Sequence, residues 1–451
     1  MFFLSRRRRM DALVRAYTRL GRFGGAVLVA RGGRRLFAKG YGHADHEHAV
    51  PNTPRTAFRI GSQTKTFTAI AILRLQEEGR LRVTDPIGHH LPGYPHGDAI
   101  TLHHLLTNTS GIPDYVTTDD FTRVMGTPRT RTALIAGFKD RPLLFEPGAR
   151  MSYSNSGWAL LGEVIERSSG LTYGAYVRGH VFGPLAMERS GLSDDPEEGH
   201  ALGYMTGDGR LARTPRVHTS NLDAAGALHS TVEDLHRWNR GLPHLLRPES
   251  FAELVKPHTT ADGIGYGYGC AVGGDRVESA GGAIGFVSVS AHHRRDDLFV
   301  TVLSNIENAA FAEIEAGLTA VARGESYELP GRRVFVTVDP VVLDRYTGRY
   351  TMRYMGRNST MDVTRDGGRL MVEVQGLVRT ELRPMSETRF FARMKGEVEL
   401  DFLATGEIAL NWAGQDVTAR PATSREVPGP VGRGVAGAED AGGEGHGAGG
   451  A

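Results

Sequence analysis

The spacing of apolar residues changes character along the chain, and each change marks an element or a boundary. Asp11 to Phe23 has the spacing of a short amphipathic helix. Ala26-Val27-Leu28-Val29-Ala30, a Gly-Gly turn and Arg35 to Tyr41 then read as a β-hairpin. From Thr66 to Gly79 the chain is apolar at Phe67, Ile70, Ile72, Leu73 and Leu75 and closes on a glycine, which predicts a buried helix with a Gly stop. A helix-rich middle runs from Ser62 to about Leu242 and includes Trp158 to Glu166 and Thr231 to Trp238. Strands return at Phe286 to Ala291 and Leu298 to Ser304, flanking a charged turn at Arg294 to Asp297, before a closing helix from Ala309 to Arg323. Strands at both ends with helices between them predict an α+β domain whose single antiparallel sheet joins the two halves of the chain.

Leu329-Pro330-Gly331 marks a boundary. Beyond it lie short alternating segments, Val334 to Val338, Tyr346 to Tyr350, Met361 to Thr364, Leu370 to Val374, Phe390 to Met394, Val398 to Phe402 and Ile408 to Trp412. That rhythm predicts a small all-β barrel of about 90 residues. From about Glu426 the sequence collapses to Gly, Ala, Glu and Pro, which cannot bury a core. The expected organisation is a disordered basic N-terminus (1–10), an α+β unit (11–328), a barrel (329–425) and a disordered tail (426–451).

Composition narrows the function. The 451 residues exceed one ordinary core, and 40% hydrophobic with 23% charged residues fits a globular chain. A net charge of +2 argues against a nucleic-acid footprint. Cys270, alone in the chain, excludes an intramolecular disulfide and reads as a small core residue. At the N-terminus the apolar residues Met1 to Leu4 precede the arginines Arg6 to Arg9, the wrong order for an export signal. A cytoplasmic protein without a membrane span is therefore expected, and Met10 offers an alternative start. Oligomeric state is left open.

Only five of the 53 basic residues are lysines, yet one stands three positions after a serine in Gly61-Ser62-Gln63-Thr64-Lys65. Lysine can give up its proton and arginine cannot, so Lys65 is suited to act as a base beside a nucleophile. An i, i+3 step at a helix start places both on one face, although a capping serine and a snorkelling lysine fit the same tetrad. In Met151-Ser152-Tyr153-Ser154-Asn155-Ser156-Gly157, Tyr153 and Asn155 are two apart and would point the same way from an extended turn; a simple cap is the plainer alternative. Ser279-Ala280-Gly281-Gly282 enters a strand with glycines that permit close approach to the backbone, as a bulge would also explain.

In this order and spacing the three segments resemble the penicillin-recognising serine hydrolases: class C β-lactamases, DD-peptidases and related esterases and D-aminopeptidases. That family carries Ser-x-x-Lys, then Tyr-x-Asn, then Lys-Thr-Gly or His-x-Gly. The resemblance extends to Ala57 to Gly61, Leu105 to Ile112, Phe145 to Gly148 and Ala225 to Thr231, covering about residues 15 to 323. It implies a β-lactamase/transpeptidase-like fold, and Leu343 to Tyr350 resembles the lipocalin-like barrel appended to many relatives. It further implies Ser62 as nucleophile and acyl-enzyme site, with Lys65 and Tyr153 sharing the acid and base work. Asn155 would hold the substrate amide and orient Lys65, Ser279 and Gly281 would line the third motif, and the backbone N–H groups of Ser62 and Gly282 would meet the oxyanion. No cofactor or metal is implied.

Two positions depart from the family pattern. Ser279 replaces its Lys or His, which removes the cation that meets a substrate carboxylate and makes β-lactam or D-Ala-D-Ala recognition less favourable. Asn108 stands where many relatives have His, a change that concerns packing. The expected activity is hydrolysis of a small ester or amide, with a small molecule or short peptide as substrate. Transfer of the acyl group to an amine or alcohol, including peptide cyclisation by a thioesterase, is the alternative, and an impaired binding module is a third. His43-Ala44-Asp45-His46-Glu47-His48 invites a metal reading that no second cluster completes, and the doublets His89-His90, His103-His104 and His292-His293 are expected at the surface.

Overall fold

A computed structural model describes residues 5–422, apart from 193–198, 208–209, 332, 355–356, 375–378, 395 and 413–414. The Gly- and Ala-rich tail lies outside the described residues. Helix α1 (Arg6–Arg19) begins inside the segment expected to be a basic arm, because Met10, Leu13, Val14 and Tyr17 recur at helical spacing and are all buried. Strands β1 (Gly25–Arg31) and β2 (Arg34–Tyr41) form the first hairpin. Helices α2 (Thr64–Glu77), α3 (Asn155–Ser169), α4 (Asp223–Gly226) and α5 (Val232–Leu245) belong to the middle of the chain. Strands β3 (Thr259–Ala261), β4 (Ile264–Tyr266), β5 (Ala271–Gly273), β6 (Arg276–Ala283), β7 (Phe286–His293) and β8 (Leu298–Ser304) precede helix α6 (Phe311–Arg323).

Among the described residues these strands make one eight-stranded antiparallel sheet in the order β2-β1-β8-β7-β6-β5-β4-β3. β1 pairs with β8 in the register Val29↔Val300, so the two ends of this unit meet within the sheet. Strand alternation divides the central residues between two cores. Val27, Val29, Val289, Val300 and Val302 face α1 and α6, whereas Ala26, Leu28, Ala30 and Leu303 face the helical region around α2. With both faces covered, the strands read as unbroken apolar runs. Helix α2 is buried from Thr64 through Leu73, so Lys65 is drawn into the interior with its neighbours.

The second unit is a closed eight-stranded antiparallel barrel of β9 (Gly348–Tyr354), β10 (Arg357–Asp366), β11 (Arg369–Val374), β12 (Thr380–Pro384), β13 (Arg389–Met394), β14 (Gly396–Phe402), β15 (Ile408–Trp412) and β16 (Gln415–Pro421). Its lumen is filled by side chains such as Met361, Val372, Phe390, Leu400 and Ile408. Val334 to Val338, expected as a strand, is instead an extended connector: Val334 is 77% exposed, and the Arg383 guanidinium stacks 3.7 Å above the Phe335 ring. β12 and β16 close the barrel in its place. Between the units, Arg22 bonds both oxygens of Glu397, and Arg333 approaches Glu397 at 3.0 Å. No helix among the described residues is long and apolar enough to cross a membrane.

Candidate active site

The serine turn is built by backbone constraints. Ile60 N–H bonds the Leu228 carbonyl at 3.0 Å, and Gly61 then takes φ +53°, where a side chain would be strained and its Cβ would lie 2.8 Å from the Gly282 backbone. A 3₁₀ turn, Gly61–Gln63, leads directly into α2 and leaves Ser62 at the helix start. Strand β6 crosses this turn so closely that a Cβ on Gly281 would sit 2.0 Å from the Ile60 carbonyl oxygen and 2.7 Å from the Ser62 nitrogen. The two glycines therefore bring the backbone of Gly281 and Gly282 against Ser62.

Tyr153 and Asn155 approach from the turn that opens α3. The intervening Ser154 is extended (φ −146°, ψ 122°), so its two neighbours turn the same way. Tyr153 Oη donates to Ser62 Oγ at 2.6 Å. Asn155 Oδ1 accepts from Lys65 Nζ at 2.8 Å. Asn108, in the left-handed region at φ +57°, splints this segment: its Oδ1 accepts from Trp158 Nε1 at 3.1 Å and from Ser154 N at 3.3 Å, and its carbonyl accepts from Ser152 N at 2.9 Å. The packing role expected of Asn108 thus includes a hydrogen-bonded one.

Lys65 is 1% exposed. Its ammonium donates to Ser62 Oγ at 3.0 Å, to Asn155 Oδ1 and to the Ala225 carbonyl, both at 2.8 Å, and lies 4.8 Å from the Tyr153 ring centroid. Helix α4 supplies that carbonyl. Asp223, at φ +44°, is clamped by Arg131 through two bonds of 2.6 and 2.7 Å, and burial nevertheless raises its carboxyl above the ordinary range. Burial also raises the phenols of Tyr115 and Tyr266, which flank Tyr153, well above their usual range. The partly exposed Ser62 Oγ lies within hydrogen-bond reach of both an amine and a phenol. With one proton lost from that pair, the geometry suits transfer of the serine proton into it as the oxygen attacks.

Ser62, Lys65, Tyr153, Asn155, Gly281 and Gly282 are thus gathered around one point. Ser279 is turned aside: its Oγ lies 2.8 Å from Thr66 Oγ1, which bonds the Gly269 carbonyl at 2.9 Å. Sequence reasoning missed Asp114, whose carboxylate accepts from Asn155 N at 3.1 Å and from Asn155 Nδ2 at 3.2 and 3.1 Å. The Asp114-Tyr115 pair beside Leu105 to Ile112 was its available signal. It also missed the Arg131–Asp223 clamp and the Ala225 carbonyl, a backbone group that no residue identity betrays.

The histidines take other roles. His48 bonds Asp45 at 2.7 Å, and His46 packs edge-on against Tyr204; among the described residues no group of three or more His, Cys, Asp or Glu could hold a metal. His103 and His293 correct the surface expectation. His103 bonds Tyr268 Oη at 2.9 Å, and burial, aided by His258 and His104, pushes its imidazole down to about 4. His293 is buried, 3.7 Å from Glu315. Cys270 is buried, and burial raises its thiol to about 12, as befits an inert core residue.

Comparison with known proteins completes the picture. The Beta-lactamase family model matches residues 10–324. Penicillin-binding protein 4* of Bacillus subtilis is 28% identical over 88% of this chain and 94% of its own length. Among solved structures, the octameric penicillin-binding protein homologue from Pyrococcus abyssi is 25% identical with a TM-score of 0.65, covering 91% of this chain and 99% of that one. The D-stereospecific amidohydrolase from a Streptomyces species is 26% identical with a TM-score of 0.57, covering 70% and 98%.

Proposed function

The chain belongs to the Beta-lactamase family, and from that premise we propose that it hydrolyses a small ester or amide through an acyl-enzyme on Ser62. The observation that carries this reading is the position of Ser62 Oγ, 3.0 Å from Lys65 Nζ and 2.6 Å from Tyr153 Oη. In the proposed reaction the active form of the Lys65–Tyr153 pair is one proton short, and the pair takes the serine proton as Oγ attacks the substrate carbonyl. The N–H groups of Ser62 and Gly282 stabilise the oxyanion, each donor contributing about 3 kcal/mol in comparable sites. The pair then protonates the departing alcohol or amine, and water entering the vacated space releases the acid. Asn155 serves the substrate amide and Lys65 together.

The substrate class follows from β6. Ser279 offers no ammonium or imidazolium, and its hydroxyl is engaged with Thr66, so a substrate carboxylate on that side would be desolvated without this partner. We therefore assign the site to acyl donors that are uncharged there, such as simple esters and amino-acid amides, in preference to penicillins. A turnover panel of activated esters, D- and L-amino-acid amides and β-lactams, with and without an amine acceptor, tests this. Hydrolysis of esters or amides with weak penicillin reactivity supports the reading; a preference for penicillins, or products formed only with the amine, overturns it.

A further inference from the structure

A carboxamide does not fix its own orientation. Turned by half a rotation about its last bond, Asn155 would aim two N–H donors at the Lys65 ammonium in place of an acceptor. The group that decides lies behind it. Asp114 is 7% exposed, and its carboxylate accepts from Asn155 Nδ2 at 3.1 and 3.2 Å and from the Asn155 backbone N–H at 3.1 Å. An ionised carboxylate can only accept. Asn155 must therefore turn its NH₂ toward Asp114, and its oxygen is left for Lys65.

Asp114 is itself held from both sides. Ser156 Oγ, one residue beyond Asn155, donates to the Pro113 carbonyl at 2.6 Å and accepts from Tyr115 N at 3.1 Å. Tyr115 Oη bonds the Asn221 carbonyl at 2.7 Å. The loop is thus fastened to the start of α3, and the carboxylate follows Asn155 as one body. We propose that Asp114 is a positioning residue, resting on the function proposed above: it sets the orientation of the Asn155 amide and so keeps an acceptor, and one negative charge behind it, on Lys65.

Other titratable or charged groups stand on the elements packed around Lys65. Tyr153 precedes α3, Asp223 with its partner Arg131 heads α4, and the buried phenols Tyr115, Tyr173 and Tyr266 lie further out; β6 presents Ser279 to the neighbouring Thr66. None of them touches the Asn155 amide in the way Asp114 does. Asp114→Asn leaves the volume unchanged, removes the charge and frees the amide to turn. Both changes disfavour the ammonium, so the limb of the pH–rate profile set by Lys65 moves to lower pH by about one unit. Misorientation at the nucleophile lowers kcat by about 100-fold, with KM little changed.

The test measures pH–rate profiles for an ester turned over by the wild type and not by Ser62→Ala, with active sites counted by covalent labelling. Asp114→Asn is compared with the double variant Asp114→Asn/Asn155→Asp, in which a carboxylate faces Lys65 and is held by the new amide, so the same limb moves to higher pH. Opposite displacements in the two variants are the expected result. Unmoved limbs, or a loss explained wholly by fewer folded sites, overturn the proposal; if Asp114→Asn does not fold, Asp114→Ser, which also removes the charge, takes its place, and an unmoved limb there overturns the proposal in the same way. Absence of Ser62-dependent turnover in the wild type would bring down the function reading first, and this proposal with it.

Discussion

The two units differ in what they bury beside their apolar cores. Around the serine turn the hydrolase unit buries Gln63, Thr64, Lys65, Thr66, Thr68, Asn108, Asp114 and Asp223, and the network described above joins most of them. Inside the barrel the strands turn Met361, Val363, Val372, Phe390, Val398 and Leu410 inward. Its buried charge, Glu397, lies beside the inward Val398 and points the other way, to Arg22 and Arg333. Buried polar groups are costly unless paired, and the hydrogen bonds at the serine turn supply that pairing. The difference teaches where to look for chemistry: among the described residues the buried polar cluster lies in the first unit, and the barrel is a packed body joined to it by ion pairs.

Lys65→Arg attacks the comparison at its strongest point. Arginine stays protonated and cannot share the base work, so kcat/KM should fall by about ten-thousandfold, as when a member of a catalytic triad is lost. Ester turnover per folded molecule measures it; near-normal turnover would mean that the buried polarity is structural.

Phe390→Ala tests the other side. Emptying a fully buried ring site in the barrel should cost about 3 to 5 kcal/mol of stability, read from denaturant unfolding, while turnover per folded molecule is unchanged. A matching loss of turnover below the unfolding transition would show that the barrel shapes the cleft, for which the 3.9 Å approach of Arg353 to Asp262 offers a route.

The smallest effect is expected at the junction. Burial, and then the charge of Glu397, raise the Glu313 carboxyl from 4.5 to about 7. A carboxyl raised on folding contributes stability that is whole below about pH 4.5 and is lost as the pH climbs through about 7. Glu313→Gln should remove that part of the slope of Tm against pH, leaving the activity profile in place. An unchanged Tm slope would mean that Glu313 does not titrate in this range.

Much of this was legible in the sequence because the signals were local. Ser62 and Lys65 are one helical turn apart, Tyr153 and Asn155 share one extended turn, and the apolar runs of β1, β7 and β8 record a sheet covered on both faces. What escaped depended on distant partners. Asp114 lies in a loop without periodicity, and its role appears only when α3 is placed beside it. β12 and β16 were missed because they bury few apolar residues, Leu382 in one and Ala419 in the other, and so show little alternation. Val334 to Val338 alternates convincingly but spends its pattern on draping the barrel, with Val338 buried and Val334 exposed. The arginines at the start of α1 hid only its first turns: the helix was expected from Asp11, because its apolar stripe begins at Met10.

The central claim is that Ser62 becomes acylated, and peptide mapping of the protein trapped with a slowly released ester or a fluorophosphonate tests it most directly. The predicted result is a single adduct on the peptide carrying Ser62, absent in Ser62→Ala and strongly slowed in Lys65→Arg. An adduct on another residue, or turnover that persists in Ser62→Ala, would contradict it.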